Sequence, residues 1–311
     1  MLRRIVLITL LLITVCGLRA QYDPSYSHYW AMETSYNPAA AGKTSLMNIT
    51  AAYNMTLAGY KRAPKTMFIS GDMPLYAIGS YHGLGAQIIS DNIGLFAHQK
   101  LGLQYAYRLK LFGGMMGVGV QGSLLSEKFD GSGVDLEQSD DPAFAKSDIT
   151  GTAVDLAAGL YYQHQQWYVG VSAQHLTAPT VSLGETNELE INRSYYFTAG
   201  YNIKLRNPFL TIHTSVFGIS DGVGYKGQLT GRLRYTHDEK MMYGGLSYSP
   251  QNSVTLLLGG NFHGVTVGYS YEVYTSAINI GNGSHELFVG YQTEMNLFKK
   301  GRNRHQSVRI L

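Results

Sequence analysis

Cysteine is nearly absent from this sequence. The 311 residues contain one, Cys16, and it lies in the apolar N-terminal stretch. Because that stretch has the composition of a cleaved leader, the exported chain is expected to have no thiol. Disulfide bridges and thiol chemistry are then excluded, whatever the redox state of the compartment.

Long apolar runs and charged residues are also scarce. Beyond the leader no stretch approaches the length of about 18 apolar residues that a membrane-spanning helix needs. Charged residues make up 14% of the chain, against about 25% in a typical soluble domain. Hydrophobic content is nevertheless ordinary at 45%. A transmembrane β-barrel reconciles these values, because only alternate residues of its strands need be apolar.

The first 20 residues are predicted to be a signal peptide. Arg3 and Arg4 precede an apolar stretch over residues 5–15, and Leu18-Arg19-Ala20 is an imperfect small-residue cleavage site. An uncleaved membrane anchor and, through Cys16, a lipoprotein remain alternatives.

The net charge of the chain is misleading. Three of the 24 basic residues lie in the leader, which leaves 21 basic against 21 acidic residues. Basic residues are not clustered in the body of the chain, so nucleic acid is not an expected partner.

Tyrosine and glycine are abundant, with 24 and 36 copies, and apolar residues alternate with polar ones. Successive side chains of a strand point to opposite faces. Residues 94–125 therefore predict two strands joined by a tight hairpin at Leu111-Phe112-Gly113. In the first strand the apolar face consists of Leu101, Leu103, Tyr105, Tyr107 and Leu109, and the other face carries Lys100, Arg108 and Lys110.

About fourteen such segments follow one another. They lie near 45–57, 65–74, 82–89, 97–110, 113–126, 152–164, 166–176, 194–206, 209–219, 226–237, 241–249, 254–262, 265–273 and 285–298. The predicted fold is all-β, a transmembrane antiparallel β-barrel of the bacterial outer membrane over residues 45–298.

The charged face of the strands is predicted to line the lumen, because a lysine or arginine in the lipid midplane costs about 2–4 kcal/mol. The candidate lumen charges are Lys100, Arg108, Asp155, Lys204, Arg206, Arg232, Arg234 and Glu294. Whether they line an anion path or form a closed ion-pair plug stays open.

The connections between the predicted strands sort by length. The long ones, 127–151, 177–193 and 274–284, all fall on one end of the barrel, and all those on the other end are short except 75–81. Long outer loops and short periplasmic turns are typical of outer-membrane barrels. An even number of strands then places both termini in the periplasm.

Segments outside the barrel are the candidate partner contacts. Residues 21–44 are predicted to be a periplasmic or plug-like segment, and residues 299–311 a basic periplasmic tail with five basic residues and no acid. The candidate residues of the first are Tyr22, Asp23, Pro24, Tyr29, Asn37, Pro38, Ala39 and Gly42. Those of the tail are Lys299, Lys300, Arg302 and Arg304. A simple turn before the barrel and a solvated charged end are the plainer interpretations.

The segment after the leader resembles a known family. Gln21-Tyr22-Asp23-Pro24-Ser25-Tyr26 and Tyr36-Asn37-Pro38-Ala39-Ala40-Ala41-Gly42 resemble the N-terminal signature of the PorP/SprF family of type IX secretion and gliding machinery. Ala40 stands where members usually carry an aromatic residue. Blocks at 60–66, 90–94, 105–107 and 169–180 are also similar to family blocks.

The resemblance implies a barrel that anchors the secretion machinery. Its expected partners are a ring lipoprotein, a peptidoglycan-tethering protein, the translocon and outer-membrane lipid. An outer-membrane channel for small or hydrophobic solutes is the alternative function, since the same barrel supports either.

Catalysis and cofactor binding are not expected. Residues 117–122 match the dinucleotide pattern G-x-G-x-x-G, but that pattern requires a following helix and these glycines lie within a strand. Small residues there make room in the lumen. No spacing indicates a metal site or a nucleophile–base pair, so no cofactor and no enzyme activity are predicted.

Overall fold

The structure is a computed structural model that describes residues 23–131, 148–184, 187–222, 224–238, 240–250, 252–275 and 282–294. Fourteen of its strands close into one antiparallel barrel. These are β1 (Met47–Met55), β2 (Lys65–Ala77), β3 (Ser80–Ile93), β4 (Phe96–Leu111), β5 (Gly114–Phe129), β6 (Ile149–Gln163), β7 (Trp167–Gln174), β10 (Ser194–Lys204), β11 (Leu210–Ser220), β12 (Tyr225–His237), β13 (Lys240–Ser249), β14 (Ser253–Phe262), β15 (Val265–Tyr274) and β16 (Ser284–Thr293). The predicted fourteen-stranded barrel is confirmed, and each predicted segment overlaps one barrel strand.

The barrel closes because its first and last strands pair. Met47 to Met55 of β1 are in register with Thr293 to His285 of β16, and every other barrel strand pairs with its neighbours along the chain, β7 with β10. A closed sheet has no unpaired edge. In a bilayer, which offers no water to free backbone groups, this is the one form in which a sheet is stable.

Side chains alternate between lipid and lumen as the sequence pattern predicts. On β4 the outward Leu103 is 66% exposed, whereas the inward Lys100, Gln104 and Arg108 are 4–7% exposed. Among the described residues, no helix has the length and apolar character needed to cross a bilayer.

The two ends of the barrel differ in their connections. We call the end with tight turns the turn end and the other the loop end. Ile78-Gly79, Phe112-Gly113 and His263-Gly264 each have two successive positive φ angles, the conformation of a two-residue turn whose twist matches that of the flanking strands. The first of these corrects the predicted connection 75–81. Strand β2 ends at Ala77 and β3 begins at Ser80, so this connection is a two-residue turn and is as short as its neighbours at the turn end.

A small hairpin missed by the sequence interpretation lies at the loop end. Strands β8 (Thr180–Leu183) and β9 (Asn187–Glu190) form it within the long connection after β7. Val181, Leu183 and Ile191 pack on Leu125, an inward residue of β5. The connection therefore folds into the mouth of the barrel beside β5 and β6 and covers part of that opening.

We predict that a charge on the outward face destabilises the barrel far more than the same charge at a turn. Leu103→Arg places a cation midway along β4 in the hydrocarbon and is expected to cost about 2–4 kcal/mol. Ile78→Arg, at a turn tip that is 99% exposed, is expected to change stability by less than about 0.5 kcal/mol. Urea unfolding of the barrel in lipid bilayers measures both. Equal losses for the two variants would contradict the outward assignment of Leu103.

Candidate functional site

The N-terminal segment, residues 23–46, occupies the lumen. It begins near the loop end, where Asp23 contacts His175 after β7, and it runs to the turn end, where the backbone N–H of Gly42 donates to Asp72 at 2.8 Å. Two short 3₁₀ turns, Glu33–Ser35 and Pro38–Ala40, shape it. Residues 32 and 39 are fully buried, so the segment is enclosed by the barrel wall.

Aromatic packing joins the segment to two sides of the wall. Tyr29 stacks on Phe217 with ring centres 5.0 Å apart, and Tyr36 stacks on Tyr196 at 5.6 Å. A second apolar group on the other side consists of Tyr26 and Met32 with Ala52, Phe68, Ile89 and Phe288 of the wall. Buried aromatic rings contribute large apolar areas and favour offset stacking, so these contacts hold the segment from both sides.

Long polar side chains of the wall satisfy the backbone of the segment. Arg108 donates from Nη2 to the carbonyls of Ala39 and Ala41 at 3.0 and 2.8 Å. Gln104 and Gln174 donate to the carbonyls of Thr34 and Tyr36 at 2.6 and 2.8 Å. Buried irregular backbone needs such partners, because an unpaired carbonyl away from water is costly. The inward amides and guanidinium replace the sheet partners that the segment lacks.

Wall glycines make room for residues 37–42. A Cβ on Gly119 would lie 2.2 Å from the backbone nitrogen of Ala39, and one on Gly159 would lie 2.1 Å from Oδ1 of Asn37. Gly83 and Gly117 meet the same stretch. Asn37 uses this closeness: its Nδ2 donates to the carbonyl of Leu160 at 3.1 Å, while its Oδ1 accepts from Ala39. The small inward residues of β3, β5 and β6 thus form a groove fitted to this stretch.

A cluster of acids around His175 fixes the beginning of the segment. Nε2 of His175 is 3.0 Å from Oδ1 of Asp23, and its Nδ1 is 2.9 Å from Oδ2 of Asp155. The hydroxyl of Tyr196 donates to the other oxygen of Asp23 at 2.7 Å. Burial alone would lower the pKa of His175, but the charge of Asp23 and the hydrogen bonds to Asp155 and Asp23 outweigh it and raise the pKa to about 9. His175 is therefore an imidazolium between two carboxylates at neutral pH.

The same opposing effects determine the pKa of Asp23. Burial would raise its pKa, but the charge and hydrogen bond of His175, with further contributions from Lys100 and Tyr196, lower the pKa below the ordinary value of 3.8. Both groups are charged across the neutral range and hold each other in place.

Glu286 of the last strand anchors the next turn of the segment. Its two oxygens accept from the backbone N–H groups of Ser27 and His28 at 2.8 Å each, and Oε1 also lies 2.7 Å from Nδ1 of His28. A carboxylate that accepts several N–H groups at once is a strong buried anchor. Further along, Glu33 pairs with Lys43 and accepts from Tyr161.

The predicted site residues divide into three groups in the structure. Those inside the filled lumen are Asp23, Pro24, Tyr29, Asn37, Pro38, Ala39, Gly42, Lys100, Arg108 and Asp155. Arg232 and Arg234 are half-buried, and Lys204, Arg206 and Glu294 are exposed near the turn end. Tyr22 and the tail residues Lys299, Lys300, Arg302 and Arg304 lie outside the described residues.

Sequence reasoning missed the partners of the buried acids. Nothing in the sequence links Glu286 to His28, which lies 258 positions away, or His175 to Asp23 and Asp155. Among the described residues, no group of three or more potential ligands is arranged to hold a metal ion.

A cavity of about 10 Å³ lies beside the segment, between Asp23, Tyr26, Ser35, Tyr36 and Tyr196. That volume accommodates roughly one water molecule. The described part of the lumen at this level is packed rather than open.

Comparison with known proteins identifies a family match. The family model described as "Type IX secretion system membrane protein PorP/SprF" matches residues 18–291. A comparison with curated proteins gave no match.

Solved structures with similar architecture include a channel, a FadL homologue and a porin. The CymD monoaromatic hydrocarbon channel is 11% identical, with 90% of this chain and 95% of that chain covered and a TM-score of 0.49. A FadL homologue from Pseudomonas aeruginosa is 11% identical, with 82% and 91% covered and a TM-score of 0.44. The KdgM porin is 10% identical, with 78% and 98% covered and a TM-score of 0.35. At these values the likeness is one of barrel architecture alone.

We predict that filling the glycine groove expels the N-terminal segment. Gly119→Val adds a side chain where the backbone of Ala39 lies and is expected to expose residues 30–42. Labelling of Ser35→Cys with a maleimide–polyethylene glycol in detergent measures this, since Ser35 is 8% exposed in the filled lumen.

Gly122→Val is the matched control, because Gly122 lies on the outward face of the same strand and a Cβ there meets no atom within 4 Å. The cysteine is expected to react in the Gly119 variant and to stay protected in the control. Heat-modifiable migration on gels verifies that each barrel is closed. Protection in both variants would contradict a fitted groove.

We predict that His175 stabilises the filled barrel in a pH-dependent way. Its folded-state pKa, about 9, lies above the ordinary value of 6.5. The stabilisation is therefore full below pH 6.5 and lost as pH rises through about 9. A shift of this size corresponds to roughly 3 kcal/mol.

The measurement compares the thermal unfolding midpoints of wild type and His175→Gln between pH 6 and pH 10. The wild type is expected to be more stable at pH 6, and its advantage is expected to shrink toward pH 10. An advantage that is constant with pH would show that the imidazolium charge contributes nothing.

Proposed function

The chain belongs to the PorP/SprF family of type IX secretion system membrane proteins, and on that premise we propose that it serves the machinery as a closed outer-membrane anchor. In this role the barrel is a fixed scaffold in the lipid. Periplasmic and outer-membrane components bind to it, and cargo crosses elsewhere, through the translocon. The proposed function concerns secretion by this machinery and its gliding form.

The observation that carries the proposal is the filled lumen. A conduit needs a continuous water path, whereas residues 23–43 pack against the wall on both sides through stacked rings and donate to or accept from inward side chains. Opening a path would unpair the carbonyls held by Arg108, Gln104 and Gln174 at a cost of about 1–3 kcal/mol for each buried group left without a partner. The contacts favour a permanent plug over a gate.

We place the turn end in the periplasm. Short turns face the periplasm in outer-membrane barrels, and longer loops face outward. The chain then leaves β16 on the periplasmic side, and the basic tail 299–311 extends below the membrane. With a signal peptide over residues 1–20 removed, the mature chain would begin two residues before Asp23, which lies near the loop end beside His175. This orientation therefore puts the start of the N-terminal segment at the outer mouth of the lumen, not in the periplasm as the strand count predicted. A ring lipoprotein and a peptidoglycan-tethering protein are the proposed periplasmic partners, with the translocon beside the barrel.

We expect the purified protein to be silent in planar bilayers and to capture periplasmic partners. Conductance measures the first, and affinity purification of the tagged protein from its native membrane measures the second. Gly119→Val is the positive control for conductance, because displacement of the segment is expected to open the lumen. Stable unitary currents from the wild type would overturn the anchor and favour a solute channel.

We further expect the tail to contribute to partner binding. Deletion of residues 300–311 removes four of the five basic residues of the tail and is expected to reduce capture, since electrostatic attraction to acidic surfaces weakens with each lost charge. Substitution of Lys65, an exposed cation at the loop end, by glutamine is the control and is expected to have no effect. Unchanged capture and assembly after the deletion would exclude a contact through the tail.

A further inference from the structure

The inner wall of β10, β11 and β12 carries a group of cations near the turn end. Two adjacent levels of the register hold them: Asn202, His213 and Arg232 are paired at one level, and Lys204, Thr211 and Arg234 at the next. Arg206 follows just beyond β10. We call the cations Lys204, Arg206, Arg232 and Arg234, together with the imidazole of His213 between them, the cationic vestibule. Arg232 and Arg234 lie two positions apart on the same face of β12, so their like charges repel one another.

The described residues supply no counter-charge to the vestibule. None of their carboxylates forms an ion pair with any of its five members. Asp238, at the nearby turn, pairs with His237 at 3.2 Å, and Glu239 lies outside the described residues. The vestibule is thus a region of uncompensated positive charge within the described chain.

Arg232 is the member whose state most needs explaining. Its guanidinium lies over the ring of Trp30 at 3.7 Å, yet its buried Nε has no hydrogen-bond partner. Arg234 donates from Nε to Thr236 at 3.2 Å. A buried N–H of a cation without an acceptor is costly. The unused Nε–H of Arg232, with the guanidinium of Arg234 two positions along the same face, suits a carboxylate acceptor.

Elsewhere in the lumen, buried charges have partners. His28 pairs with Glu286, Lys43 with Glu33, and Arg108 donates to two carbonyls of the N-terminal segment. This contrast indicates that the cations of the vestibule lack an acceptor within the described part of the chain.

The vestibule is open toward the turn end. Lys204 and Arg206 are exposed, and Arg232 and Arg234 are half-buried. The part of the N-terminal segment nearest this end, residues 38–42, packs against β3 to β6 through the glycine groove, on another wall. The partly buried Trp30 is its contribution to the vestibule.

Size and charge decide the class of ligand. The cations span three strands, and neighbouring strands lie about 4.8 Å apart, so the site is roughly 10 Å wide. A single small anion fills only part of it, whereas carboxylates spaced along a peptide can meet several cations. The tail of this chain has five basic residues and no acid, and the acid-rich connection between β5 and β6 lies at the loop end. No carboxylate of the described residues pairs with the vestibule, and an acidic segment of another molecule would supply the missing acceptors.

We propose that the cationic vestibule is a docking site for an acidic peptide segment of a partner protein. The segment inserts its carboxylates between Lys204, Arg232 and Arg234, beside the Trp30 ring that the Arg232 guanidinium covers. The assignment of this partner to the periplasm rests on the proposed function, because only that orientation exposes the turn end there.

A fluorescence titration tests the docking site directly. The chain has two tryptophans, so Trp167→Phe leaves Trp30, which stacks on Arg232, as the reporter. The probe is a hexaglutamate peptide, added to the full barrel in detergent. We expect a saturable change in Trp30 emission that weakens as salt rises from about 50 to about 500 mM, and no saturable change with hexaglutamine.

Charge-matched variants locate the binding site. Arg232→Gln with Arg234→Gln is expected to weaken hexaglutamate binding about tenfold or more, since charge-assisted bonds are lost. Lys65→Gln with Lys128→Gln removes the same charge at the loop end and is expected to leave binding unchanged. Lys204→Gln with Arg206→Gln, both exposed, is a second test that does not disturb the plug, and we expect weaker binding there too. Protection of Ser35→Cys verifies the filled lumen in each variant.

Several results would overturn the proposal. Equal binding by the vestibule and control variants, or no saturable response to hexaglutamate, excludes docking at this site. Competition by inorganic phosphate at concentrations as low as those of the peptide would indicate a free-anion site instead. The titration needs no secretion partner. Wild-type currents in bilayers would therefore reject the anchor role, and hexaglutamate binding to the vestibule would be decided by the titration alone.

Discussion

Hydrocarbon offers no hydrogen bonds, and this constraint governs the molecule twice. Outside, it requires a sheet without edges, which the pairing of β1 with β16 provides. Inside the lumen, the N-terminal segment is buried without sheet partners, so its backbone groups also need hydrogen bonds. Arg108, Gln104 and Gln174 meet that demand from the wall. The outward-facing residues of the strands thus contact lipid, and the inward-facing residues contact the N-terminal segment.

Both shape complementarity and charge hold the N-terminal segment in the lumen. Glycines on β3, β5 and β6 allow backbone to approach backbone, aromatic rings fill the opposite side, and His175 and Glu286 hold the first residues by charge. These contacts are spread over most of the circumference. The segment therefore links distant strands across the barrel and stiffens it as well as filling it.

The sequence predicts the barrel well and its interior poorly, for a physical reason. Alternation is a local signal with a period of two, so the opposite faces of Leu103 and Arg108 follow from neighbouring residues alone. The pairing of Glu286 with His28 and the meeting of Gly159 with Asn37 depend on which strands lie across the lumen, and no local pattern records that. Strands β8 and β9 are four residues each, too short for the alternation to stand out. The predicted segment 65–74 is also too short, since β2 continues to Ala77.

The anchoring of the first residues by Glu286 has a consequence for biogenesis. Glu286 belongs to β16, the strand that completes the wall, so the earliest part of the chain gains this contact only after the latest part has arrived. The wall that encloses the segment is complete only when β1 and β16 pair, so the contact with Glu286 and the closure of the barrel depend on the same strand. A barrel that closed without the segment would leave Glu286 with Asn54 but without the backbone N–H donors of Ser27 and His28.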